Sequence, residues 1–403
     1  MQVLIADKMP TDMVEALAAL GTDVAYRPEL TAAELPRAVA ETEILIVRSK
    51  EVQAQVFAAA PQLALVVRAG AGVNTIDLDE ASQRGVYVAN CPGMNTAAVA
   101  ELAIGLLIAV DRGLVAATLD LRRGAWTKAA LAKRAAGLKG RTLGIIGCGE
   151  IGRAVIRRAL ALEMRIVAWS RSLTDEQAEE FGATRAATLE SLAAASDAVS
   201  VHLALASETR HLIAVPFFAA LRPGAIFINT SRGEIVDTAA LEAAIGAKQL
   251  RVGLDVFERE PAGGAGSFEQ TSLAERITGT PHLGASTEQA AAAIAAETVR
   301  IVREFLRTGQ PPGAVNVAKR TPATHQLVVR HLNRVGVLAG VLDALRGEEI
   351  NVERMTNTIF DGARAACCSL ELDASPSPAL LQSLAAVENI LHVLLHASQA
   401  DEA

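Results

Sequence analysis

The stretch TLGIIGCGEIGRAVIRRALALEMRIVAWSR, residues 142–171, decides the fold of this chain. A short apolar run ends in the turn GCGEIG, residues 147–152, and a helical pattern and a second apolar run follow. This order of strand, glycine turn, helix and strand is typical of a βαβ unit that binds a dinucleotide. Gly147 allows the tight turn, Gly149 lets the backbone approach a pyrophosphate, and Gly152 brings the helix close to the strand.

The same unit departs from the usual pattern at one place. Its helix begins at Glu150 and Ile151, whose free backbone N–H groups suit phosphate binding. An acidic residue commonly closes the second strand and binds the cofactor ribose, but Ser170 and Arg171 stand here. The change removes a ribose acceptor and also the repulsion that excludes a 2′-phosphate, which Arg171 could bind. The sequence predicts NAD or NADP as cofactor, with NADP tolerated; in the alternative, Arg171 lies over the adenine and NAD serves as usual.

Length and composition bound the class of protein. The 403 residues suffice for two to three domains, and 51% of them are hydrophobic. The net charge of −7 argues against a nucleic-acid-binding surface. The four cysteines show no metal-ligand spacing, which fits a reducing compartment and predicts no metal site. The N-terminus starts with a strand pattern and no apolar run reaches membrane-spanning length, so we expect a cytoplasmic protein without nucleic-acid or membrane partners.

The first 92 residues alternate short apolar runs with helical patterns, which predicts a parallel sheet covered by helices on both faces. Ligands bind at the carboxyl ends of such strands. Arg48 and Arg68 each follow a strand directly, so they are candidates for binding an anion, although a solvated strand end is the alternative. The predicted strands are Val3–Ala6, Ile44–Val47, Leu65–Val67 and Val86–Val88.

A second α/β domain is expected next. A long helix is predicted from about Asn95 or Thr96, either of which could cap it, to about Ala117. The glycine unit then starts a second doubly wound sheet, in which each strand ends in a polar or glycine-bearing loop. Its later predicted strands are Ala198–Leu205, Ala225–Asn229, Val252–Phe257 and Arg276–Gly279.

Three strand-end loops of this second sheet carry groups suited to catalysis. Arg232, Glu260 and His282 follow successive predicted strands, so they can converge on one point. The arginine can hold a carboxylate with two hydrogen bonds. The histidine titrates near neutrality and can transfer a proton, while the glutamate can orient it and raise its pKa. Each residue alone has a structural explanation, but the three together at the cofactor edge predict an active site.

The rest of the chain returns to the first domain and then starts a third one. An alanine-rich helix is predicted over Thr287–Leu306, and residues 321–324 form a linker. From Gln326 onward a βαββαβ order predicts a ferredoxin-like module. Its elements are expected at Leu327–Leu332, Val337–Arg346, Val352–Thr358, Ala365–Leu372, Pro378–Val387 and Ile390–Ser398.

The expected fold class is therefore α/β, with two doubly wound parallel-sheet (Rossmann-like) domains plus a C-terminal ferredoxin-like βαββαβ domain. The substrate-binding domain is expected to be discontinuous, at residues 1–92 plus 286–318. The dinucleotide-binding domain is expected at residues 93–285 and a regulatory domain at residues 324–403.

Together these motifs resemble the D-isomer-specific 2-hydroxyacid dehydrogenases, and most closely the phosphoglycerate dehydrogenases with a C-terminal ACT domain. The resemblance covers essentially the whole chain. It is carried by the stretches VRS (47–49), RAGAGVNTIDL (68–78), NTAAVAEL (95–102), GIIGCGEIGR (144–153), INTSRGEIVD (228–237), GLDVFEREP (253–261) and PHLGAST (281–287).

The resemblance implies a role for each group at the predicted site. Arg232 binds the substrate carboxylate and carbonyl, and Glu260 pairs with His282, the acid/base on the hydroxyl. Asp255 lies on the carboxamide side of the nicotinamide. The remaining implied contacts are those of Thr230, Ser231, Gly284 and Ala285 with the cofactor and of Ala71, Gly72 and Asn95 with the substrate.

A narrower prediction concerns the substrate. In phosphoglycerate dehydrogenases, basic residues matching Arg48, Arg68 and Lys128 meet the substrate phosphate, and all three positions are basic here. The resemblance thus implies NAD(P)-dependent oxidation of D-3-phosphoglycerate to 3-phosphohydroxypyruvate, the first step of L-serine biosynthesis. Asn74 departs from the pattern, since an Asp is common there. The alternatives are a hydroxypyruvate, glyoxylate or other D-2-hydroxyacid reductase and, from another class, a nucleotide-sensing corepressor or scaffold.

The C-terminal domain suggests regulation and assembly. His331, Asn333 and Asn351 match the spacing with which serine-inhibited relatives bind serine, so the resemblance implies an L-serine effector site. Val335 departs from this pattern, because the family usually has Pro before Gly336. A purely structural oligomerisation domain is the alternative. Such domains imply a homodimer or homotetramer in this family.

Overall fold

The computed structural model describes residues 1–261, 266–318 and 320–397. The chain divides into two compact units, Met1–Asn316 and Val317–Ala403. The first unit contains two parallel sheets and the second contains one antiparallel sheet, so the expected fold class is confirmed. The finer division of the first unit into domains stays a prediction.

Strands and helices alternate through the first 90 residues. The strands are β1 (Gln2–Ile5), β2 (Asp23–Tyr26), β3 (Ile44–Val47), β4 (Leu65–Arg68) and β5 (Tyr87–Asn90), and the helices are α1 (Thr11–Ala18), α2 (Leu35–Ala38), α3 (Ala54–Ala59) and α4 (Leu78–Gln83). All neighbouring strands run parallel, in the order β2-β1-β3-β4-β5. This is a doubly wound order, so the polar strand ends share one edge.

Helices bury both faces of this first sheet. Every side chain of the central strand β3 is fully buried, as a parallel strand between two helical layers requires. On one face the strands pack against Leu17 of α1 and against Val299 and Phe305 of the later helix α14 (Glu288–Thr308). The alanine-rich helix therefore returns to the first sheet, as predicted. On the other face Leu35 and Phe57 complete the core.

The second sheet has seven parallel strands. The strands are β6 (Thr142–Ile146), β7 (Arg165–Trp169), β8 (Thr184–Arg185), β9 (Ala198–Val201), β10 (Ile226–Asn229), β11 (Arg251–Leu254) and β12 (Thr278–Gly279), and the helices are α8 (Glu150–Ala161), α9 (Asp175–Glu180), α10 (Leu189–Ala195), α11 (Val215–Ala220), the 3₁₀ helix Gly233–Ile235, α12 (Thr238–Lys248) and α13 (Thr271–Ala274). Their order is β12-β11-β10-β9-β6-β7-β8. The order changes direction between β6 and β9, so the glycine turn after β6 lies at the switch point where ligands bind.

The predicted long helix between the two sheets is wrong in its length. α5 (Thr96–Arg112) ends at Gly113, and α6 (Leu114–Arg122) continues at an angle of 61°. Gly113 has a φ of +61°, a left-handed conformation that glycine adopts without a Cβ clash. Neither α6 nor α7 (Lys128–Ala132) buries a side chain in the unit.

Among the described residues, no single helix is long and apolar enough to cross a bilayer. Only α5 and α6 taken together, across their bend, reach the required length and hydropathy. Eight residues of α5 are buried inside the unit.

Several strand predictions also need correction. The sequence does not predict β2 and β8, two short edge strands whose side chains are mostly exposed. The strands expected over Ala198–Leu205 and Val252–Phe257 end at Val201 and Leu254. The apolar residues beyond those ends belong to loops at the carboxyl edge of the sheet.

The second unit has the predicted βαββαβ order. Its elements are β13 (His325–Leu332), α15 (Val337–Gly347), β14 (Val352–Ile359), β15 (Ala365–Leu372), α16 (Pro378–Ala385) and β16 (Ile390–Ala397). The strand order β14-β15-β13-β16 agrees with a ferredoxin-like sheet, and Leu327, Val341 and Leu370 lie in its core. The predicted strand end at Ser398 lies outside the described residues.

Asp111, near the C-terminal end of α5, is a buried carboxylate with two arginine partners. Its Oδ1 accepts a hydrogen bond from Arg141 at 3.0 Å and lies 3.5 Å from a guanidinium nitrogen of Arg251. Its Oδ2 accepts from the backbone N–H of Gly137 at 3.0 Å, and Arg251 also donates to the carbonyl of Arg134 at 2.8 Å. This cluster joins α5, the segment before β6 and the start of β11.

Asp111→Ala should therefore destabilise the first unit by about 3–5 kcal/mol, because two largely buried guanidinium groups lose their counter-charge. The midpoint of urea denaturation, followed by circular dichroism, measures the change. Asp175→Ala is the matched control, since it removes only an exposed pair with Arg185 and should cost less than about 1 kcal/mol. Equal midpoints for the two variants would contradict the structural role given to Asp111.

Candidate active site

The glycine turn after β6 has the geometry that a bound pyrophosphate requires. Gly147 has a φ of +96°, and a Cβ there would lie 2.4 Å from the carbonyl oxygen of His202. A Cβ at Gly152 would lie 2.0 Å from the carbonyl oxygen of Gly147, so only glycine lets α8 approach the strand. At Gly149 such a Cβ would meet no described atom within 4 Å, so this backbone faces open space. Ile151 turns its side chain to the hydrophobic core, which leaves only its backbone for a ligand.

The start of α8 and the end of β7 hold the other predicted cofactor residues. The carboxylate of Glu150 accepts a hydrogen bond from the hydroxyl of Thr96, at the start of α5, over 3.2 Å. Ser170 is half-buried and Arg171 is exposed. Local hydrogen bonds, its own backbone N–H first, lower the pKa of Glu208, and the charge of Arg171 lowers it further. Arg171 therefore already faces one acidic side chain of the protein.

The loops after β11 and β12 join the predicted acid and base directly. Nδ1 of His282 lies 2.7 Å from Oε2 of Glu260, and Oε1 of Glu260 accepts a hydrogen bond from the backbone N–H of Phe257 at 2.9 Å. Burial alone would raise the pKa of Glu260, but the hydrogen bonds from His282 and Phe257 and the charge of Arg232 outweigh it and lower the pKa. The carboxylate is therefore ionised at neutral pH and can stabilise a positive charge on the imidazole.

Asp255, directly after β11, holds the loop that carries His282. Its Oδ1 accepts from the hydroxyl of Thr280 at 2.6 Å and from the N–H of Leu283 at 2.7 Å, and its Oδ2 accepts from the N–H of Gly284 at 2.8 Å. His282 has a φ of +53°, a conformation that costs a non-glycine residue on the order of 1 kcal/mol or more. The hydrogen bonds to Asp255 therefore hold the histidine in a backbone conformation that it would otherwise leave.

Asn229, the last residue of β10, shapes the turn that presents Arg232. Its Oδ1 accepts from the N–H and the hydroxyl of Ser231 at 3.0 and 2.7 Å, and its Nδ2 donates to the carbonyl of Arg232 at 2.9 Å. The hydroxyl of Thr230 is buried and has no hydrogen-bond partner among the described residues. Sequence patterns did not single out Asn229, although its position at the strand end in INTSRG was the available signal.

Three arginines interact across the first unit, with Asp7 as the carboxylate near Arg68 and Glu260 as the carboxylate near Arg232. Burial, followed by the charges of Arg232 and Arg48, lowers the pKa of Arg68 to about 10. The Nε of Arg68 is buried and has no hydrogen-bond partner among the described residues. Over the same residues, none of the three guanidinium groups forms a salt bridge. Like charges in this arrangement are costly unless an anion binds among them. Arg48, Arg68 and Arg232 together form the arginine cluster.

A cleft of about 550 Å³ opens beside Arg232. The segment 71–79 lines one side of it and the loop Leu203–Leu205 lines the other. The guanidinium of Arg232 lies against the backbone of Gly72, where a Cβ would be 2.5 Å from Nη2. The side chain of Asn90 donates to the carbonyl of the residue before Gly72, so it fixes the peptide predicted to meet the substrate carboxylate.

Asp7 is a site residue that sequence patterns did not single out. Its Oδ2 accepts hydrogen bonds from the backbone N–H groups of Arg48, Ser49 and Lys50 at 2.6, 3.0 and 3.2 Å. Burial alone would raise the pKa of Asp7, but these three hydrogen bonds outweigh it and lower the pKa. Asp7 therefore fixes the backbone that carries Arg48. Asp7 lies just after a strand, as Arg48 does, so its position in the sequence could have indicated a site residue in the same way.

Two predicted substrate residues have few protein contacts. Asn95 stands at the cap position of α5, but its side chain makes no capping hydrogen bond, so the capping alternative is wrong for Asn95. Lys128, the first residue of α7, is exposed. The charge of Lys128 is not among those that shift the pKa of Arg68.

The three residues of the predicted serine site do not come together in one chain. His331 and Asn333 lie at the end of β13, and both ring nitrogens of His331 already have protein partners. Asn351 precedes β14, whose first residues are level, through β15, with His325 at the other end of β13. Six residues of strand at about 3.3 Å each separate the two places by roughly 20 Å. One chain by itself therefore does not bring the three residues together, and the serine site stays a prediction.

His202 directly follows β9, beneath the glycine turn. Its Nε2 lies 2.8 Å from the hydroxyl of Ser200, while its Nδ1 is buried without a partner among the described residues. Burial lowers the pKa of His202 to about 3, so the ring is neutral at physiological pH. The predicted strand over Ala198–Leu205 concealed this residue, because it placed His202 inside the sheet and not at its edge.

Comparisons with known proteins identify the family. Residues 104–284 match the family model described as D-isomer specific 2-hydroxyacid dehydrogenase, NAD binding domain. The D-3-phosphoglycerate dehydrogenase of Mycobacterium tuberculosis is 39% identical over 349 residues, which are 84% of this chain and 63% of that protein. The hydroxypyruvate reductase of Thermotoga maritima is 38% identical over 277 residues, 68% of this chain and 88% of that protein. The solved structure of the TT0316 protein from Thermus thermophilus is 32% identical, with a TM-score of 0.70 over 78% of this chain and 100% of that chain.

The chain belongs to the D-isomer-specific 2-hydroxyacid dehydrogenase family, as predicted. The domain that carries the glycine turn is the NAD-binding domain of that family. The chain spans only 58–64% of the length of the phosphoglycerate dehydrogenases that it matches. The assignment of the second unit as an ACT domain stays a prediction.

The desolvated ring of His202 predicts how stability responds to acid. The unfolded chain takes up a proton on this ring below about pH 6.5, whereas the folded chain does so only near pH 3. This group therefore contributes stability that is fully present above pH 6.5 and is lost as the pH falls, by up to about 1.4 kcal/mol per pH unit. Urea denaturation at about pH 7, 6, 5 and 4 measures the loss. His202→Asn should show a shallower dependence, and identical slopes would contradict the assignment.

Proposed function

We propose that this protein oxidises D-3-phosphoglycerate to 3-phosphohydroxypyruvate with NAD or NADP, as the first step of L-serine biosynthesis. The observation that carries the proposal is the arginine cluster, which belongs to the same site as the His282–Glu260 pair. Three guanidinium groups that form no salt bridge among the described residues suit a substrate with one carboxylate and a phosphate of about two negative charges, since Asp7 and Glu260 offset their charge only from beyond salt-bridge distance. An unphosphorylated hydroxyacid brings one negative charge and would leave most of the mutual repulsion in place.

The residues of the chain account for the proton and the charges in this reaction. Arg232 holds the substrate carboxylate through paired N–H donors. His282 is bound to Glu260 through Nδ1, which leaves Nε2 to take the hydroxyl proton. Glu260 then stabilises the imidazolium that forms. The nicotinamide cofactor supplies the hydride acceptor when it is bound.

The glycine turn and the end of β7 would hold this cofactor. The open space at Gly149 and the free N–H groups at the start of α8 fit a pyrophosphate. Arg171 in place of an acidic residue favours acceptance of a 2′-phosphate, while Glu208 nearby opposes it. We therefore propose that both NAD and NADP serve, in a ratio set by this pair of opposite charges.

His282→Ala should lower kcat by about 10²- to 10⁴-fold, because the variant has no group to take the hydroxyl proton. Cofactor affinity, measured by quenching of tryptophan fluorescence, should stay within a few fold of the wild type. His392→Ala, which removes an exposed histidine of the second unit, is the control and should leave kcat unchanged. Near-normal turnover of His282→Ala would exclude the acid–base role.

Initial rates with D-3-phosphoglycerate and with D-glycerate, each with NAD and NADP, test the substrate. The phosphorylated acid should have a kcat/KM about 10- to 100-fold higher, because charge-assisted hydrogen bonds contribute about 1.5–3 kcal/mol. Arg48→Ala should remove about tenfold from the phosphorylated substrate alone, whereas the exposed Arg37→Ala should change neither. Equal values for the two acids would favour a reductase of unphosphorylated 2-hydroxyacids, which a 38%-identical hydroxypyruvate reductase makes the second candidate.

Assembly of several copies is part of the proposal. α6 and α7 bury no side chain within the unit, yet Leu121 is 60% exposed and Trp126 is 82% exposed. Clustered apolar side chains of this kind are typical of protein contact surfaces, which supports a homodimer or homotetramer. Lys128 lies on the same segment, so we propose that its contribution to phosphate binding depends on assembly. Binding of L-serine at the second unit and a cytoplasmic location stay predictions.

A further inference from the structure

The loop that carries Glu260 also carries the glutamate of a second histidine–glutamate pair. In this loop, Asp255–Pro261, Glu258 comes two residues earlier, and its Oε1 lies 2.7 Å from Nε2 of His211. His211 belongs to the connection between β9 and α11, has a φ of +51° and donates its backbone N–H to the carbonyl of Glu234 at 2.9 Å. The proposed reaction gives this pair no task.

Glu258 also lies beside the start of α12. Burial alone would raise the pKa of Glu258, but hydrogen bonds from Thr238 and His211 outweigh it and lower the pKa. Thr238 is the first residue of α12, which follows the turn that presents Arg232. The carboxylate of Glu258 therefore ties the connection after β9 to the Asp255–Pro261 loop and lies beside the start of α12.

The same loop packs tightly against the residue that follows Arg232. A Cβ at Gly233 would lie 2.0 Å from the carbonyl carbon of Phe257 and 2.3 Å from the backbone nitrogen of Glu258. The N–H of Phe257 in turn donates to Glu260. The position of the Glu260 carboxylate therefore depends on the backbone at residues 257–258. The hydrogen bond between the Glu258 carboxylate and His211 holds that backbone in place.

We infer that Glu258, held by His211, is a positioning residue for the acid–base pair of Glu260 and His282. Glu258 contacts neither of these two side chains; it sets the backbone from which Glu260 reaches the imidazole. The inference deepens the proposed function and rests on it. Three charged groups lie around His282. Glu260 lies at its Nδ1, Asp255 binds the backbone N–H of the next residue, Leu283, and Arg232 lies near Glu260. Loss of the Glu260 contact would remove the anion that stabilises the imidazolium.

Kinetics of loop variants test the inference. Glu258→Ala should lower kcat by about 10- to 100-fold, because a misplacement of about 1 Å has effects of this size, with cofactor KM changed less than about threefold. The acid limb of the kcat/KM profile should move to lower pH. Glu258→Gln keeps the hydrogen-bonding shape and should stay within about threefold of the wild type. Arg259→Ala, an exposed neighbour in the same loop, is the matched control and should behave as the wild type.

The Nδ1–H resonance of His282 in the NMR spectrum, assigned with His282→Gln, gives a readout that does not need turnover. Glu258→Ala should shift this resonance upfield relative to Arg259→Ala, because the hydrogen bond to Glu260 weakens. If the wild type oxidises no 2-hydroxyacid, the proposed function fails while this resonance still decides the positioning. If Glu258→Ala does not fold, His211→Gln removes one of the contacts that hold the loop and should shift the resonance in the same direction by less. An unchanged Nδ1–H resonance in folded variants, or a rate loss that only follows the loss of folded protein, would overturn the inference.

Discussion

The carboxylate of Asp255 is the group on which the site depends. A charge buried to 1% exposure is stable only where donors surround it, and Thr280, Leu283 and Gly284 supply three. Because those donors all come from one loop, satisfying the charge also fixes that loop. His282 thereby keeps a left-handed backbone conformation and stays within hydrogen-bond reach of Glu260. The strand that ends at residue 254 thus determines, through one buried charge, where the proton acceptor stands.

The first unit uses its charges in two opposite ways. Around Asp111, two arginines and backbone donors satisfy a buried carboxylate, so the cluster serves stability. In the arginine cluster, Arg68 is desolvated and repelled by Arg48 and Arg232, so its pKa is lowered. Such an arrangement of like charges reduces the stability of the free protein and is typical of an anion-binding site. The family relationship supplies the class of reaction, and this imbalance of charge supports the phosphorylated substrate.

Most of the fold could be predicted because buried parallel strands are short apolar runs that end in polar loops. The pattern failed where burial is incomplete, at β2 and β8, and where one glycine redirects a helix, at Gly113. It also failed for residues that support the site from behind. Asp7, Asn229 and His202 each stand at a strand end, yet nothing in the chain order tells a supporting side chain from a ligand-binding one. At the predicted serine site, the sequence spacing did not show that Asn351 and His331 lie at opposite ends of the sheet within one chain, so the site stays a prediction.

The sequence by itself determined the order of strands and helices, the glycine turn and the set of polar residues at the strand ends. It could do so because strand and helix periods are local and because parallel strands place their carboxyl ends at one edge. The tertiary structure decided which groups are partners. Glu258 and Glu260 are two residues apart in one loop, yet one binds His211 and the other binds His282. That choice depends on distances of a few ångström between segments far apart in the chain, and only the packed fold sets those distances.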